Sequence, residues 1–130
     1  MSDKVDYWLN MCDEDLITAK AMLDAGRLLW VGFVCHLTVE KALKAVIEEV
    51  SGSAPPKIHN LIKLATLGGV INDLAEKQVR LLRELNPLHI ETRYNEYKDK
   101  LAASLTLKRC ERILLETEEF LCWTKKRLGR

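Results

Sequence analysis

The fold is decided by the stretch from Leu28 to Val50, LLWVGFVCHLTVEKALKAVIEEV. Apolar side chains point in almost every direction around a helix built on this stretch, so the helix has no clean solvent face. Four ionisable residues interrupt the run near its centre and disfavour a membrane span; they are His36, Glu40, Lys41 and Lys44. The stretch therefore predicts the central helix of a bundle, surrounded by other helices.

Three of these polar residues fall on one narrow stripe of the central helix. His36, Glu40 and Lys44 are spaced i, i+4 and i+8, so they follow one another along one face. Two interpretations are open. The stripe either lines a pocket for a phosphate or nucleotide, or forms a satisfied buried network in which Glu40 pairs with Lys44 and His36 is hydrogen-bonded above the pair.

Helical periodicity continues on both sides of the central stretch. Helices are predicted over 3–24, 57–67, 73–85 (with Asn72 as N-cap) and 106–128. Residues 88–100 lack the periodicity and are predicted to form a loop. We therefore expect an all-α fold in one domain over residues 1–130, an antiparallel four-helix up-and-down bundle with a short extra helix.

Composition narrows the class of protein. The 130 residues carry a net charge of +1, so nucleic-acid binding would need a local patch rather than a global basic field. The first ten residues contain acids and no apolar run, so we expect no signal peptide, and the cysteines lack metal-binding spacing. We expect a cytoplasmic protein with no metal and no cofactor, whose cysteines are reduced and belong to the core: Cys12, Cys35, Cys110 and Cys122.

Three separated blocks of sequence give the chain a resemblance to a known family. They are VEKALKA at residues 39–45, HNL at residues 59–61 and TRY at residues 92–94, and their order and spacing resemble those of a HEPN domain. The similarity runs from about Tyr7 to Leu128. It implies a small helical bundle that is commonly a homodimer and is often paired with a nucleotidyltransferase.

The resemblance implies two alternative functions. Many HEPN proteins are metal-independent ribonucleases that act as toxins or defence components, and a nucleotidyltransferase partner neutralises them as the antitoxin. Other members are non-catalytic nucleotide- or RNA-binding modules. The chain is therefore expected to act on or with RNA, either as an endoribonuclease or as a nucleotide-binding or adaptor bundle.

Arg83 and His89 fit the spacing of the family's catalytic signature, an arginine followed about four to six residues later by a histidine. A guanidinium can hold the scissile phosphate, an imidazole can transfer a proton, and RNA supplies its own 2′-hydroxyl nucleophile. Against this, Glu84 stands where active relatives carry a small polar residue, and Pro87 interrupts the motif. The alternative is a solvated helix-end cation and a loop histidine.

A second candidate site would bind a nucleotide or phosphate. Lys44, His59 and Arg93 would form a compact cationic pocket if the loop after Pro87 folded back onto the central stripe. Tyr94 would add a stacking ring, and His36 and Glu40 would belong to the same site. Alternatively, His59 and Arg93 only hold the loop against the bundle, with Arg93 paired to an acidic residue, Asp15 or Glu40.

Overall fold

The computed structural model describes residues 3–89 and 95–130, and the side chains of all of these except residues 95–98. Within these ranges the fold is all-α, as predicted. The helices are α1 (Asp3–Asp24), α2 (Leu28–Ser51), α3 (Leu61–Leu67), α4 (Glu76–Leu85), α5 (Asn95–Ser104) and α6 (Leu107–Arg127). Two 3-10 turns, Ile71–Asp73 and Asn86–Leu88, flank α4.

The central helix is α2, which packs against α1, α3, α4, α5 and α6. Most of its apolar side chains, Val31, Val39 and Leu43 among them, are buried, whereas Val50 near its end is exposed. A helix with apolar groups all round is stable in water only when neighbours cover it on most sides. The structure therefore confirms the arrangement that residues 28–50 predicted. None of the described helices has an apolar stretch long enough to cross a bilayer.

Ion pairs and a hydrogen bond between helices show in which direction each helix runs relative to its neighbours. Asp15 pairs with Lys41 at 2.7 Å and the Trp8 indole donates to Glu48, so α1 and α2 are antiparallel. Helix α6 is antiparallel to both α1 and α4, because early residues of one contact late residues of the other. The contacts are Lys20–Glu118, Asp13–Lys125, Lys77–Glu119 and Glu84–Arg112. The four principal helices α1, α2, α4 and α6 therefore alternate in direction.

The start of α4 differs from the prediction. The helix begins at Glu76, and Asn72 lies in a 3-10 turn instead of capping the helix. Leu74 and Ala75 are extended, and the Gln78 side chain accepts a hydrogen bond from the Ala75 backbone N–H at 2.8 Å. This contact satisfies a backbone donor at the actual start of the helix. The prediction that Asn72 caps the helix was therefore wrong.

The prediction of a loop over residues 88–100 was wrong in part. The predicted loop overlaps α5, which begins at Asn95. Among the α5 side chains that the structure describes, from Asp99 to Ser104, Leu101 packs against the core and the others are exposed; Leu105, just after the helix, is buried. So sparse a set of core contacts leaves little apolar periodicity in the sequence. Arg93 and Tyr94, two of the candidate site residues, lie outside the described residues.

Three of the four cysteines are core residues, as predicted. Cys12, Cys35 and Cys110 are buried, and all four thiols are free. Burial raises the pKa of the Cys12 and Cys35 thiols to about 12, so both stay protonated and unreactive. The prediction was wrong for Cys122, which is exposed because it lies on the outward face of α6.

Most basic residues in and just after the C-terminal helix have acidic partners. Among the described residues, the pairs are Arg109 and Arg112 with Glu84, Lys125 with Asp13, Arg127 with Asp73, and Arg130 with Asp6 and Glu49. Partnered charges attract a polyanion less than a free basic stripe would. The electrostatics of α6 therefore give little support to an RNA-binding track along this helix.

Candidate functional site

Five ionisable residues from three parts of the chain meet on one side of α2. We call them the polar cluster: His36, Glu40 and Lys44 from α2, His59 from the loop before α3, and His89 from the end of the second 3-10 turn. All except His59 are buried, whereas the His59 side chain is 40% exposed. The sequence placed His89 in a separate catalytic pair, but in the fold His89 belongs to the same cluster as the stripe.

Glu40 is the centre of the polar cluster. Its Oε2 accepts a hydrogen bond from the Lys44 ammonium at 2.8 Å and lies 3.0 Å from His59 Nδ1. Its Oε1 lies 3.1 Å from His59 Nδ1 and 3.6 Å from His36 Nδ1. The carboxylate therefore joins the VEKALKA block to the HNL block, two of the three blocks that suggested the family.

The three imidazole rings of the cluster also pack against one another. His59 stacks on His89 with ring centroids 4.2 Å apart and an interplanar angle of 18°. His89 also lies 4.8 Å from the His36 ring and 6.1 Å from the Phe33 ring. His89 is thus packed between an apolar ring and two imidazoles, and only His59 carries the cluster to the surface.

The electrostatics of the cluster favour a neutral His36 beside an ionised Glu40. Burial lowers the pKa of His36 from its ordinary value of 6.5 to about 4, although the Glu40 carboxylate and, more weakly, the His59 backbone oppose this shift. Burial raises the pKa of Glu40, but the hydrogen bonds from Lys44 and His59 more than offset it, and the net shift is downward. The buried negative charge of Glu40 is therefore balanced by Lys44.

The predicted buried network forms only in part. The Glu40–Lys44 pair is present, as one interpretation of the stripe required. His36 is not hydrogen-bonded above it: among the residues that the structure describes, neither of its ring nitrogens has a partner at hydrogen-bond geometry. The imidazole within hydrogen-bond distance of Glu40 is that of His59 instead. Asp15, a proposed partner of Arg93, pairs with Lys41.

Two asparagines that the sequence analysis missed hold the cluster loops together. The Asn86 side chain accepts a hydrogen bond from the Leu61 backbone N–H at 2.8 Å, and its amide donates to Asn60 Oδ1 at 3.4 Å. Asn60 also caps α3 by accepting from the Lys63 N–H at 3.1 Å. These bonds fix the loop that ends in His59 beside the turn that ends in His89. The only available signal was an asparagine before a proline, which indicates a turn but not its partner.

Replacing Asn86 with Ala is expected to lower the free energy of unfolding by about 1 to 3 kcal/mol, because the part-buried Leu61 N–H loses its acceptor. Chemical denaturation measures the loss. The matched control is Thr106→Ala, which removes an exposed cap at α6 and should cost about 1 kcal/mol. In heteronuclear NMR, only Asn86→Ala should shift the imidazole resonances of His59 and His89. Unchanged imidazole resonances would show that Asn86 does not position the cluster.

The structure does not bring Arg83 and His89 to one surface. Arg83 is exposed in the last turn of α4, whereas only 5% of His89 is exposed and its ring faces His36 and His59. The acidic neighbour Glu84 points to α6, where Arg109 and Arg112 bind it at 2.8 and 2.7 Å. Within one chain the two residues therefore occupy different environments, and their joint catalytic role stays a prediction.

Comparisons with known proteins agree with this architecture. The family model for the HEPN domain matches residues 5–128. A crystal structure of TT1696 from Thermus thermophilus is similar in fold, with a TM-score of 0.80 and 22% sequence identity over 96% of this chain and 98% of that chain. No curated protein matches the chain. Because the family model covers nearly the whole sequence, the chain belongs to the HEPN domain family.

Proposed function

We propose that this HEPN protein acts with RNA or nucleotides as a non-catalytic binding module, through the edge of the polar cluster where His59 reaches the surface. The family supports a nucleotide- or RNA-related role in general. The observation that supports the specific proposal is that Lys44 and His59 both contact the Glu40 carboxylate. The buried Glu40–Lys44 pair thereby holds the partly exposed imidazole of His59 in place.

The surroundings of His59 suit a nucleotide. Its partly exposed imidazole can stack on a base or donate to a phosphate, as histidines do in single-stranded RNA sites. Lys57 and Lys63 are exposed and flank His59 in the chain, so they can supply positive charge for phosphate groups. Arg93 and Tyr94 remain proposed members of this site, as do His36 and Glu40 as its buried support.

The placement of Arg83 and His89 makes ribonuclease activity the second candidate. A general acid or base must reach the proton that it transfers, and His89 lies under His59 instead of at the surface. What favours this candidate is the exposure of Arg83, which leaves its guanidinium accessible for a phosphate or for a second subunit. Proteins of the family often dimerise, and we expect a homodimer here, with a nucleotidyltransferase as the partner protein in a toxin–antitoxin or defence role.

Calorimetric titration of the purified full chain tests the proposal, with the four ribonucleoside triphosphates and a short single-stranded RNA as ligands. We expect at least one of them to bind, and His59→Ala to weaken that binding about tenfold through loss of a stacking or phosphate contact. The matched control is Lys77→Ala, which removes an exposed cation of α4 that pairs with Glu119 of α6, away from the cluster. Absence of heat for every ligand would overturn the proposal.

A ribonuclease assay separates the two candidates. Wild-type protein, Arg83→Ala and His89→Ala are incubated with the same RNA in the presence of a chelator. The binding-module proposal expects no turnover above background in any of the three. Turnover in wild type that both substitutions abolish would contradict it and establish the catalytic pair.

A further inference from the structure

The donor atoms of the polar cluster match those of a metal site. One ligand atom each from His36, Glu40 and His89 can be chosen so that all three lie within 4.8 Å of one another, and all three residues are buried. Two imidazoles and one carboxylate are a donor set that proteins use for catalytic zinc, with a water in the fourth position. We propose that His36, Glu40 and His89 bind a divalent transition-metal ion, and that Zn²⁺ is its best match.

The unsatisfied His36 ring is the independent observation behind this proposal. His36 is fully buried, and no contact of its nitrogens with the described residues meets hydrogen-bond geometry: Glu40 Oε1 lies 3.6 Å from Nδ1, and the His59 backbone is close enough only to oppose the fall in the pKa of the ring. Buried polar groups in folded proteins nearly always have a partner, so an exception calls for an explanation such as an ion that the site holds. A metal ion bound to one nitrogen of His36 would satisfy that nitrogen.

Glu40 is already oriented as a ligand. Its Oε2 is held by Lys44 at 2.8 Å, and His59 Nδ1 lies 3.0 Å from the same oxygen. Its Oε1 faces His36 at 3.6 Å. Lys44 and His59 would thus act as outer partners that fix the carboxylate, as outer hydrogen bonds do in known metal sites.

The geometry requires only a small contraction. Ligand atoms around a tetrahedral zinc ion lie about 3.4 Å apart, given bond lengths of about 2.1 Å. The three donor atoms here lie within 4.8 Å of one another, so side-chain rotations that shorten the longest separation by about 1.4 Å would complete the site. His36 is also in the neutral form that metals bind, since burial lowers the pKa of its imidazole to about 4.

The test is zinc binding by the full chain after removal of metal with a chelator. In competition with a chromophoric chelator, we expect one Zn²⁺ per chain. His36→Ala and His89→Ala should each weaken binding at least about tenfold. Cys122→Ser is the matched control, because it removes the one exposed thiol and should leave the affinity unchanged. Substoichiometric binding, or equal affinity in wild type and both histidine variants, would overturn the proposal.

A second measurement needs no substitution, so it still decides if a histidine variant does not fold. X-ray absorption of the zinc-loaded wild-type protein should show nitrogen and oxygen ligands with imidazole scattering, and the melting temperature should rise on loading. A sulfur shell would assign the metal to the cysteines instead and would refute the site. Because both readouts report the metal alone, they stand apart from the proposed nucleotide binding.

Discussion

Replacing Glu40 with Gln is expected to lower the free energy of unfolding by about 3 to 5 kcal/mol, the range seen when one partner of a buried ion pair is removed. The Lys44 side chain is 9% exposed and the Glu40 side chain 7%, so the ammonium left behind would be poorly hydrated. Such a loss is a large part of the stability of a domain of this size. Urea denaturation at pH 7.5 measures the change.

The control for Glu40 is a more exposed ion pair, which links α2 to α1. Lys41 and Asp15 contact each other at 2.7 Å with side chains 18% and 19% exposed. Asp15→Asn is expected to cost about 1 kcal/mol or less, because water stabilises the lysine that remains. If both substitutions cost the same, burial of the Glu40 pair would not be the source of its effect.

A double variant distinguishes the loss of the ion pair from the cost of leaving the Lys44 charge buried without a partner. Lys44→Met with Glu40→Gln removes both charges and keeps the volumes similar. It should recover at least half of the stability lost in Glu40→Gln alone, since the double variant leaves no uncompensated buried charge. A double variant that is less stable than Glu40→Gln would show that Lys44 has a stabilising role apart from Glu40.

The sequence predicted the elements of the fold that carry strong apolar periodicity. Apolar spacing predicted the ends of α1 and α6 and the identity of the central helix, and the structure confirms them to within one residue. The Thr106 side chain that caps α6 was not predicted. The start of α4 and the existence of α5 did not follow. The start of α4 depends on one hydrogen bond to the Gln78 side chain, and α5 is held to the core through Leu101 and the following Leu105. Contacts made by so few residues leave little apolar periodicity in the sequence.

Only part of the candidate site could be predicted from the sequence. The spacing of residues 36, 40 and 44 along one helix face is fixed by helix geometry, so the Glu40–Lys44 pair could be predicted. The position of His89 could not. It depends on where the turn at Asn86 is held, and Asn86 acts through Leu61, 25 residues earlier in the chain. Pairings between distant loops are a tertiary property that one sequence does not encode in any local pattern.

The second large effect concerns pH and centres on His36. Its imidazole is neutral and buried in the folded state, where its pKa is about 4, while its ordinary pKa of 6.5 applies to the unfolded chain. Between these values the unfolded state binds a proton that the folded state does not. The stabilising contribution of neutral His36 is therefore fully present above pH 6.5 and is lost as pH falls toward 4, by about 3 kcal/mol in all.

His36→Leu isolates this contribution. Glu40, His59 and His89, which face His36, remain in both proteins, so the difference between the two pH profiles reports His36 itself. Urea denaturation from pH 7.5 to 4.5 should show a variant with a flatter profile. At pH 7.5 the variant should be nearly as stable as wild type, because Leu has no ring nitrogen to leave unpaired. Parallel profiles would mean that the pKa of His36 is the same in the folded and unfolded states, and that burial does not lower it.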